Sequence, residues 1–429
     1  MILIDGNEHY KYYILNIIFK MFFAVAFGSV YMFYYKGGDT MAYWSGAEKL
    51  NNLFWSSPVN YFIEMTSTPG KGLYLLRFNP NTGFPPGWIY REPDSFFVSK
   101  ILSLGMIFLG QGYFILTLFL SYLSAIASWK IYDLIRYYKI TSDWMGAISI
   151  LFIPSVAFWC GGISKDTIVF LCLFLLVHYL FAHMNGRSKG GFRTLILLTL
   201  LFTVLFHTRS FMVFAVLGTM LIAMSTRILR KYRDSVFLVN IIRFFIITIS
   251  LGSFVLLLEL QGEEIGKVTQ KYVDEAAVQQ ADFLNNLTYG TKRYDLGITD
   301  YTSSGMLKKA PAAILTAMYR PGIWEARSPL LLISGLETSV FIFLTLLFIF
   351  KGNVITKINF IRSNELLVFS LLFTLILAFF AGFTSGLFGV LVRFKAPFLP
   401  FLLLILTTKA KNQIEFKSDE LKELKELKE

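Results

Sequence analysis

The sequence predicts an all-α polytopic membrane protein with about ten transmembrane helices. Two observations lead to this fold class. The 429 residues are 55% hydrophobic and only 16% charged, whereas a soluble domain carries roughly 25% charged residues. The apolar residues also fall in runs of about twenty, the length that a helix needs to cross about 30 Å of hydrocarbon. The composition is therefore that of an integral membrane protein.

The apolar runs predict helices as the spanning element. Strands of an outer-membrane barrel alternate apolar and polar residues over about ten positions. Residues 341–350 and 366–380 are instead apolar on every side. A helix satisfies its own backbone hydrogen bonds inside lipid, so such runs are typical of spanning helices.

Apolar runs bounded by charged residues place the predicted spans. No small-residue cleavage site follows the first run, so we expect it to be retained as a span. The predicted spans are residues 12–35, 113–129, 144–161, 166–184, 194–206, 210–227, 235–258, 329–350, 365–382 and 390–408.

Basic residues in the short loops give the direction of the chain, because such loops stay cytoplasmic. One set of alternate loops is much the richer, and we place it inside. The two long loops, 36–112 and 259–328, exceed the length over which this rule applies, and we place them outside. The basic residues assigned to the inside are Lys130, Arg136, Lys139, Arg187, Lys189, Arg193, Arg227, Arg230, Lys231, Arg233, Lys351, Lys357, Arg362, Lys409 and Lys411.

This direction requires that residues 96–109 do not cross the membrane. A run of about fourteen residues is too short for a typical span, so we expect an outer-face juxtamembrane helix. If the run did cross, the basic loops would lie outside. The resulting organisation is a seven-span module with the first outer loop, a second outer loop, a three-span module and a cytoplasmic tail, at residues 1–258, 259–328, 329–408 and 409–429.

Several features argue against other classes of function. The net charge of +12 is concentrated in the predicted inner loops, so we expect no nucleic-acid partner. Cys160 and Cys172 lie in apolar surroundings and are too few for a disulfide framework, so we expect both to be buried packing residues. His178 and His183 have no partner at metal-ligand spacing, so we assign no metal ligand.

Asp39 is the candidate catalytic residue. It follows the first span in the segment Tyr-Lys-Gly-Gly-Asp-Thr-Met-Ala-Tyr-Trp, at residues 35–44, where paired glycines permit a tight turn at the membrane surface. A carboxylate there can serve as a general base. Asp39 could instead cap a helix that starts at Thr40. Tyr43 and Glu48, further along the same segment, are candidate accessory residues.

A second polar cluster occupies a predicted outer hairpin at residues 158–166. Pro154 lies about one helical turn earlier and can open the helix there. Ser164 is suited to cap the following helix, and Asp166 to complement its positive end. Lys165 is a lone ammonium at a helix N-terminus, an electrostatically unfavourable place. It therefore predicts a bound anion, and Asp166 is a candidate accessory residue.

The remaining cations predict the same ligand. Arg209 lies in a nearly loopless hairpin beside His207, and its guanidinium is suited to phosphate oxygens. Arg393 and Lys395 stand at the outer start of the last span. A charge near the middle of the bilayer costs roughly 2.5–3.5 kcal/mol on insertion scales. Together with Lys165, these cations predict one anionic, phosphate-bearing ligand on the outer face.

Arg320 and Glu325 precede the eighth span and are further accessory candidates, with His207. The segment 320–327 also contains Trp324, and an interfacial aromatic belt would explain the same residues. Both interpretations stay open at this stage.

This pattern resembles the glycosyltransferase C superfamily, polytopic enzymes that take a sugar or glycan from a polyprenyl-phosphate or polyprenyl-diphosphate carrier on the outer face of a membrane. The resemblance places Asp39 where that family has its catalytic acid, and loop 259–328 where it has a mobile loop. The chain is also similar to hydrophobic polymerases of surface polysaccharide assembly, which hold diphosphate-linked glycans with outer-face arginines.

The resemblance implies a reaction and its ligands. Asp39 would act as the base, and Lys165, Arg209, Arg393 and Lys395 would bind the substrate phosphate. Many members carry a pair of acidic residues with a metal, whereas here Thr40 follows Asp39 and Glu48 is the next acid. No cofactor is therefore assigned, and a divalent metal stays open.

The expected partners are a polyprenyl-linked sugar or glycan and the lipid bilayer, and no protein partner is predicted. The composition and the lack of a eukaryotic targeting signal favour a bacterial inner membrane, with the site facing the periplasm or exterior. Two other classes stay open. A transporter or flippase could use the same cations, although no inverted repeat or pair of matching broken helices is visible. A structural membrane subunit would leave the one-sided cations unexplained.

Overall fold

The computed structural model of the chain is helical. It describes residues 7–68, 74–187, 190–231, 293–297 and 303–409, with six isolated positions between 241 and 285. Within these ranges the residues form helices and connecting segments, with one isolated bridge between Arg293 and Leu387. They belong to two compact units, Met1–Leu134 with Ile150–Val216, and Ile135–Ser149 with Leu217–Glu429.

Where the structure describes the chain, eleven helices precede residue 232. A π-helical turn, Val30–Tyr34, continues the first of them. The helices are α1 Asn7–Ser29, α2 Asp39–Ser56, α3 Pro58–Thr66, α4 Tyr74–Arg77, α5 Gly87–Arg91, α6 Pro93–Leu109, α7 Tyr113–Tyr138, α8 Asp143–Leu151, α9 Pro154–Trp159, α10 Lys165–Met184 and α11 Phe192–Lys231.

Six more helices follow residue 302, with a short 3₁₀ turn at Ile323–Glu325. They are α12 Ser303–Tyr319, α13 Pro329–Phe350, α14 Val354–Ser363, α15 Glu365–Thr384, α16 Phe388–Lys395 and α17 Leu399–Leu406.

Among the described residues, six helices are long and apolar enough to cross a membrane, and the pair α16 and α17, bent by 67°, would make a seventh if it forms one span. The six are α1 with its π-turn, α7, α10, α11, α13 and α15. An all-helical chain with several helices of membrane-spanning length is thus confirmed. The full set of ten spans is not confirmed and stays a prediction.

Four of the predicted spans differ from the sequence-based outline, and one of them, 390–408, is divided into α16 and α17. Spans 194–206 and 210–227 both fall in α11, where Arg209 alone is extended, with φ −154° and ψ 88°. Span 144–161 is divided into α8 and α9. Pro154 starts α9, and the residue before it is extended, because a proline disfavours helical backbone at the preceding residue.

Other predictions lie outside the described residues. They are the span at 235–258, most of the second outer loop before residue 293, and the tail from residue 410. Where the second loop is described, it contains α12, which packs tightly on α15. A Cβ at Gly382 would collide with the Ala313 carbonyl of α12, so this contact requires glycine.

The helix predicted at residues 96–109 is present as α6, which is 17 residues long and is not among the candidate spans. It packs against α2 within the first unit. Gly46 of α2 faces Ser99 of α6, and a Cβ at Gly46 would lie only 2.6 Å from the Ser99 hydroxyl. The location of α6 on the outer face stays a prediction.

Candidate functional site

The N-terminus of α10 carries the second polar cluster of the sequence. Ser164 has extended backbone, and its hydroxyl accepts a hydrogen bond from the Thr167 N–H at 3.0 Å, so the predicted cap is confirmed. Asp166 lies in the first turn and is buried. A carboxylate at this position complements the positive end of the helix.

Lys165 has a carboxylate partner. Its ammonium lies 2.6 Å from Oδ2 of Asp94 and donates to the Ser95 hydroxyl at 3.1 Å. The Lys165 side chain is 13% exposed and that of Asp94 52%. The expectation of a lone ammonium is therefore wrong. The partner stands 71 positions earlier in the chain, at the start of α6, so local sequence could not reveal it.

Arg209 also pairs with an acid. Its Nη2 donates to Oδ1 of Asp166 at 2.6 Å, and the two side chains are 12% and 2% exposed. The sequence predicts a hairpin between two spans at this position, whereas the structure has one helix, α11, that is interrupted by the extended backbone at Arg209. The exposed ring of His207 stacks on Phe97 of α6, with centroids 5.2 Å apart. We call Asp94, Lys165, Asp166 and Arg209 the ion-pair cluster.

Asp39 is the first residue of α2 and is half-buried. Gly38 occupies the cap position, with φ +93°, so the interpretation of Asp39 as the cap residue is wrong. A Cβ at Gly38 would also lie 3.0 Å from the Tyr31 ring. The sequence Gly-Asp thus places a carboxylate at the very start of a helix, where the helix dipole favours it.

The helix that carries Asp39 contacts the helix that carries Asp94. The Ser99 hydroxyl of α6 donates to the carbonyl of Tyr43 in α2 at 3.1 Å. Tyr43 itself is buried, so it contributes to this packing. Glu48 lies further along α2 and forms an ion pair with the adjacent Lys49 at 2.6 Å.

A buried polar network fixes the helices of the first loop, and sequence reasoning missed it. The Lys100 ammonium donates to the carbonyls of Met65 and Ser67, at 3.3 and 2.7 Å, at the end of α3. Burial lowers the pKa of Lys100, and the nearby Glu64 carboxylate partly opposes this shift. Glu64 is fully buried and pairs with Arg77 at 2.6 Å.

A serine stripe on α6 could have indicated this network. Ser95, Ser99 and Ser103 recur every four residues and are all buried. The Ser103 hydroxyl lies 3.0 Å from the hydroxyl of Tyr61 in α3. Burial raises the pKa of Tyr61, and the bond to Ser103 partly offsets the shift. Polar residues repeated on one helical face indicate a face that packs on protein rather than on lipid.

The second unit contains a separate polar group around Arg320. Its Nε donates to both carboxylate oxygens of Glu325, at 3.1 and 3.2 Å, and its Nη2 also contacts Glu325. The Gly322 N–H donates to the same carboxylate at 2.8 Å. Trp324 is 81% exposed, which suits an interfacial position. Both interpretations of this segment stay predictions.

The Arg320 guanidinium also lies near two aromatic rings. It lies 5.5 Å from the ring centroid of Tyr294 and 5.0 Å from that of Phe388, within cation–π range. The Tyr294 hydroxyl donates to the Gly382 carbonyl at 3.1 Å. Burial raises the pKa of Tyr294, which keeps its hydroxyl a donor.

Lys395 is fully buried, which corrects its predicted role as a direct phosphate ligand. Its ammonium donates to the Thr338 hydroxyl at 3.0 Å and to the Arg320 carbonyl at 3.2 Å. Through these bonds, Lys395 helps to hold the backbone of Arg320 in place. Arg393, two positions earlier in α16, is half-buried.

Each unit thus gathers some of the predicted residues. The first brings Lys165, Asp166 and Arg209 together with Asp94, and the second brings Arg320, Glu325 and Lys395 together. Cys160 and Cys172 are buried, as predicted, and His178 contacts the Lys130 carbonyl at 2.8 Å. Within the part of the chain that the structure describes, no three His, Cys, Asp or Glu side chains are grouped to hold a metal ion.

Comparison of the chain with protein-family models, curated proteins and solved structures gives no match.

Proposed function

We propose that this chain is a membrane glycosyltransferase or polysaccharide polymerase. It transfers a sugar or glycan from a polyprenyl-phosphate or polyprenyl-diphosphate carrier to an acceptor on the extracytoplasmic face, in a bacterial inner membrane. The observation that carries the proposal is the ion-pair cluster. Two carboxylates and two cations meet at one end of α10, a helix that is otherwise almost wholly apolar.

The end of α10 suits a lipid-linked phosphate for two reasons. The first N–H groups of a helix and its dipole favour an anion, and the two cations add to this field. Lys165 and Arg209 are the proposed phosphate ligands of the first unit, and Arg393 stays a candidate within the second.

The two carboxylates of the ion-pair cluster have different roles. Asp94 is about half exposed and is bonded to Lys165, so an incoming phosphate can displace it from the ammonium at little cost. Asp166 is buried and bonded to Arg209, so it holds the guanidinium in place. We therefore assign Lys165 as the exchangeable ligand and Arg209 as the fixed one.

Asp39 is the proposed base. It removes the proton of the acceptor hydroxyl while the hydroxyl oxygen bonds to the anomeric carbon of the donor sugar. The bond from that carbon to the carrier phosphate breaks, and its electron pair leaves with the phosphate. Lys165 and Arg209 stabilise the negative charge that grows there.

The test is transfer by purified protein in vesicles that contain a labelled polyprenyl-diphosphate sugar. Asp39→Asn is expected to abolish transfer without loss of folded protein. Asp133→Asn is the matched control, since it breaks a surface ion pair with Arg187, at 3.0 Å, on the predicted inner side. Asp133→Asn should keep its activity. Full activity in Asp39→Asn would remove Asp39 from the mechanism.

A lipid-linked-anion transporter or flippase is the second candidate function. Broken helices are typical of transporters, and this chain has a 67° bend between α16 and α17 and a break between α8 and α9. The same vesicles distinguish the two functions. Movement of the labelled lipid between leaflets, with its glycosidic bond intact and with acceptor present, would favour the transporter.

A further inference from the structure

Lys20 is a buried lysine in the middle of the first apolar helix. Its side chain is 1% exposed, and among the described residues no carboxylate forms an ion pair with it. An ionisable residue inside a membrane helix is costly to insert and usually marks a functional position. The sequence-based set of site residues does not include it.

A two-step hydrogen-bond relay connects Lys20 to the turn before α10. The Lys20 ammonium donates to the Ser124 hydroxyl of α7 at 3.0 Å. The Ser124 hydroxyl in turn donates to the Cys160 carbonyl at 2.8 Å. The ammonium also lies 4.4 Å from the ring centroid of Phe170 in α10. Lys20 is therefore linked through Ser124 to the start of the turn at residues 160–164, and it contacts α10, which follows the turn, at Phe170.

Close packing against α1 holds the same turn. A Cβ at Gly162 would collide with the Phe27 ring, and a Cβ at Gly161 would lie 3.4 Å from that of Ala24. Phe27 precedes Tyr34, the end of the π-turn, by seven residues, or roughly 10 Å along a helix. The turn is thus recessed along α1 by this distance.

A turn between two helices leaves backbone polar groups without partners inside a helix. Such backbone is tolerated only where protein or a water-filled cavity satisfies it. The relay supplies a donor to the Cys160 carbonyl, the first carbonyl of the turn. The next residues along the chain are Ser164, Lys165 and Asp166, whose positions follow from that of the turn.

We propose that Lys20 is a positioning residue, which through Ser124 fixes the recessed turn that presents Lys165 and Asp166. Any effect of Lys20 on catalysis rests on the proposed function. Its effect on the position of the turn does not. Lys20 does not reach the reacting atoms in this role.

Hydrogen exchange of the purified full chain in vesicles tests the role. Lys20→Met keeps a long side chain and removes the charge that opposes insertion, so this variant is expected to fold. Amides of residues 160–168 should exchange about tenfold faster, because a hydrogen bond from a charged group is lost. Amides of α2 should be unchanged.

Two serine variants make the test specific. Ser124→Ala breaks the relay and should give the same local increase, and the double variant should add little because both changes remove one pathway. Ser128→Ala is the matched control. Ser128 is buried one turn away and donates to the Ser124 carbonyl at 3.0 Å, so it lies outside the relay.

Unchanged exchange at 160–168 in Lys20→Met, or an equal increase along the whole chain, would overturn the proposal. A transfer assay on the same variants adds a second measurement, a several-fold rise in KM for the lipid-linked donor. Faster exchange at residues 160–168 in Lys20→Met, together with no transfer by the unsubstituted chain, would support the positioning role and reject the proposed function.

Discussion

The Arg209 guanidinium and the Asp166 carboxylate form a buried ion pair with 2.6 Å between Nη2 and Oδ1. The two residues are 43 positions apart, and each stands where a helix starts or is interrupted. The pair therefore ties the beginning of α10 to the break in α11. Its loss affects both the stability of the first unit and the position of a proposed phosphate ligand.

Removal of one partner should destabilise the protein more than removal of both. Asp166→Asn removes the carboxylate that faces the Arg209 guanidinium in a nearly dry site, at an expected cost of about 3 kcal/mol. The double variant Asp166→Asn with Arg209→Met has no such charge and should recover part of the loss. Thermal unfolding in detergent measures both. Equal unfolding temperatures for wild type and Asp166→Asn would contradict the prediction.

The Lys165 pair should behave differently, because Asp94 is 52% exposed. Water screens this interaction, so Asp94→Asn is expected to change stability little, by about 0–1 kcal/mol. It also removes the carboxylate that competes with phosphate for Lys165. The KM for the lipid-linked donor should therefore fall, up to about fivefold.

Lys165→Met is the opposing change and should raise the same KM. Steady-state transfer by both variants at equal protein content separates these effects. A rise in KM for Asp94→Asn would show that Asp94 helps to bind the donor rather than to occupy its place.

Features that depend on neighbouring residues were predictable from sequence. The apolar run that became α10, the Ser164 cap and the break at Arg209 all follow from local composition. The same holds for the interruption at Pro154, since the effect of a proline is confined to the turn that it starts or ends.

Features that depend on distant residues were not predictable. The partner of Lys165 comes from α6, and Lys395 is buried by residues of α13 and of the turn after α12. A charge pattern shows where cations are concentrated and gives no information on which acid lies beside each. The sequence therefore identified the candidate cations and could not show that Lys165 and Arg209 are already paired.

Gly38 should be required for the position of Asp39. Its φ of +93° with ψ −179° belongs to a region that is almost confined to glycine. Gly38→Ala should cost about 1–3 kcal/mol and reduce transfer, because the start of α2 must move. Gly37→Ala is the control, since the nearest atom to its Cβ would be 4.0 Å away. Equal activity in the two alanine variants would exclude this role for Gly38.

The direction of the first unit can be measured at two exposed positions. Both native cysteines are buried, so the unsubstituted chain should react slowly with a membrane-impermeant maleimide. Ser56→Cys lies at the exposed end of α2, in the predicted outer loop, and Arg193→Cys at the exposed start of α11, in a predicted inner loop.

The basic inner loops predict that intact cells label Ser56→Cys and leave Arg193→Cys unlabelled until the membrane is permeabilised. Labelling of both variants in intact cells would mean that α6 crosses the membrane, because one additional span inverts every later loop and leaves Ser56, which precedes α6, on the outside. It would also place the N-terminus of α10 on the cytoplasmic side. The ion-pair cluster would then face the wrong compartment for an extracytoplasmic acceptor, and the transfer reaction proposed for it would fail.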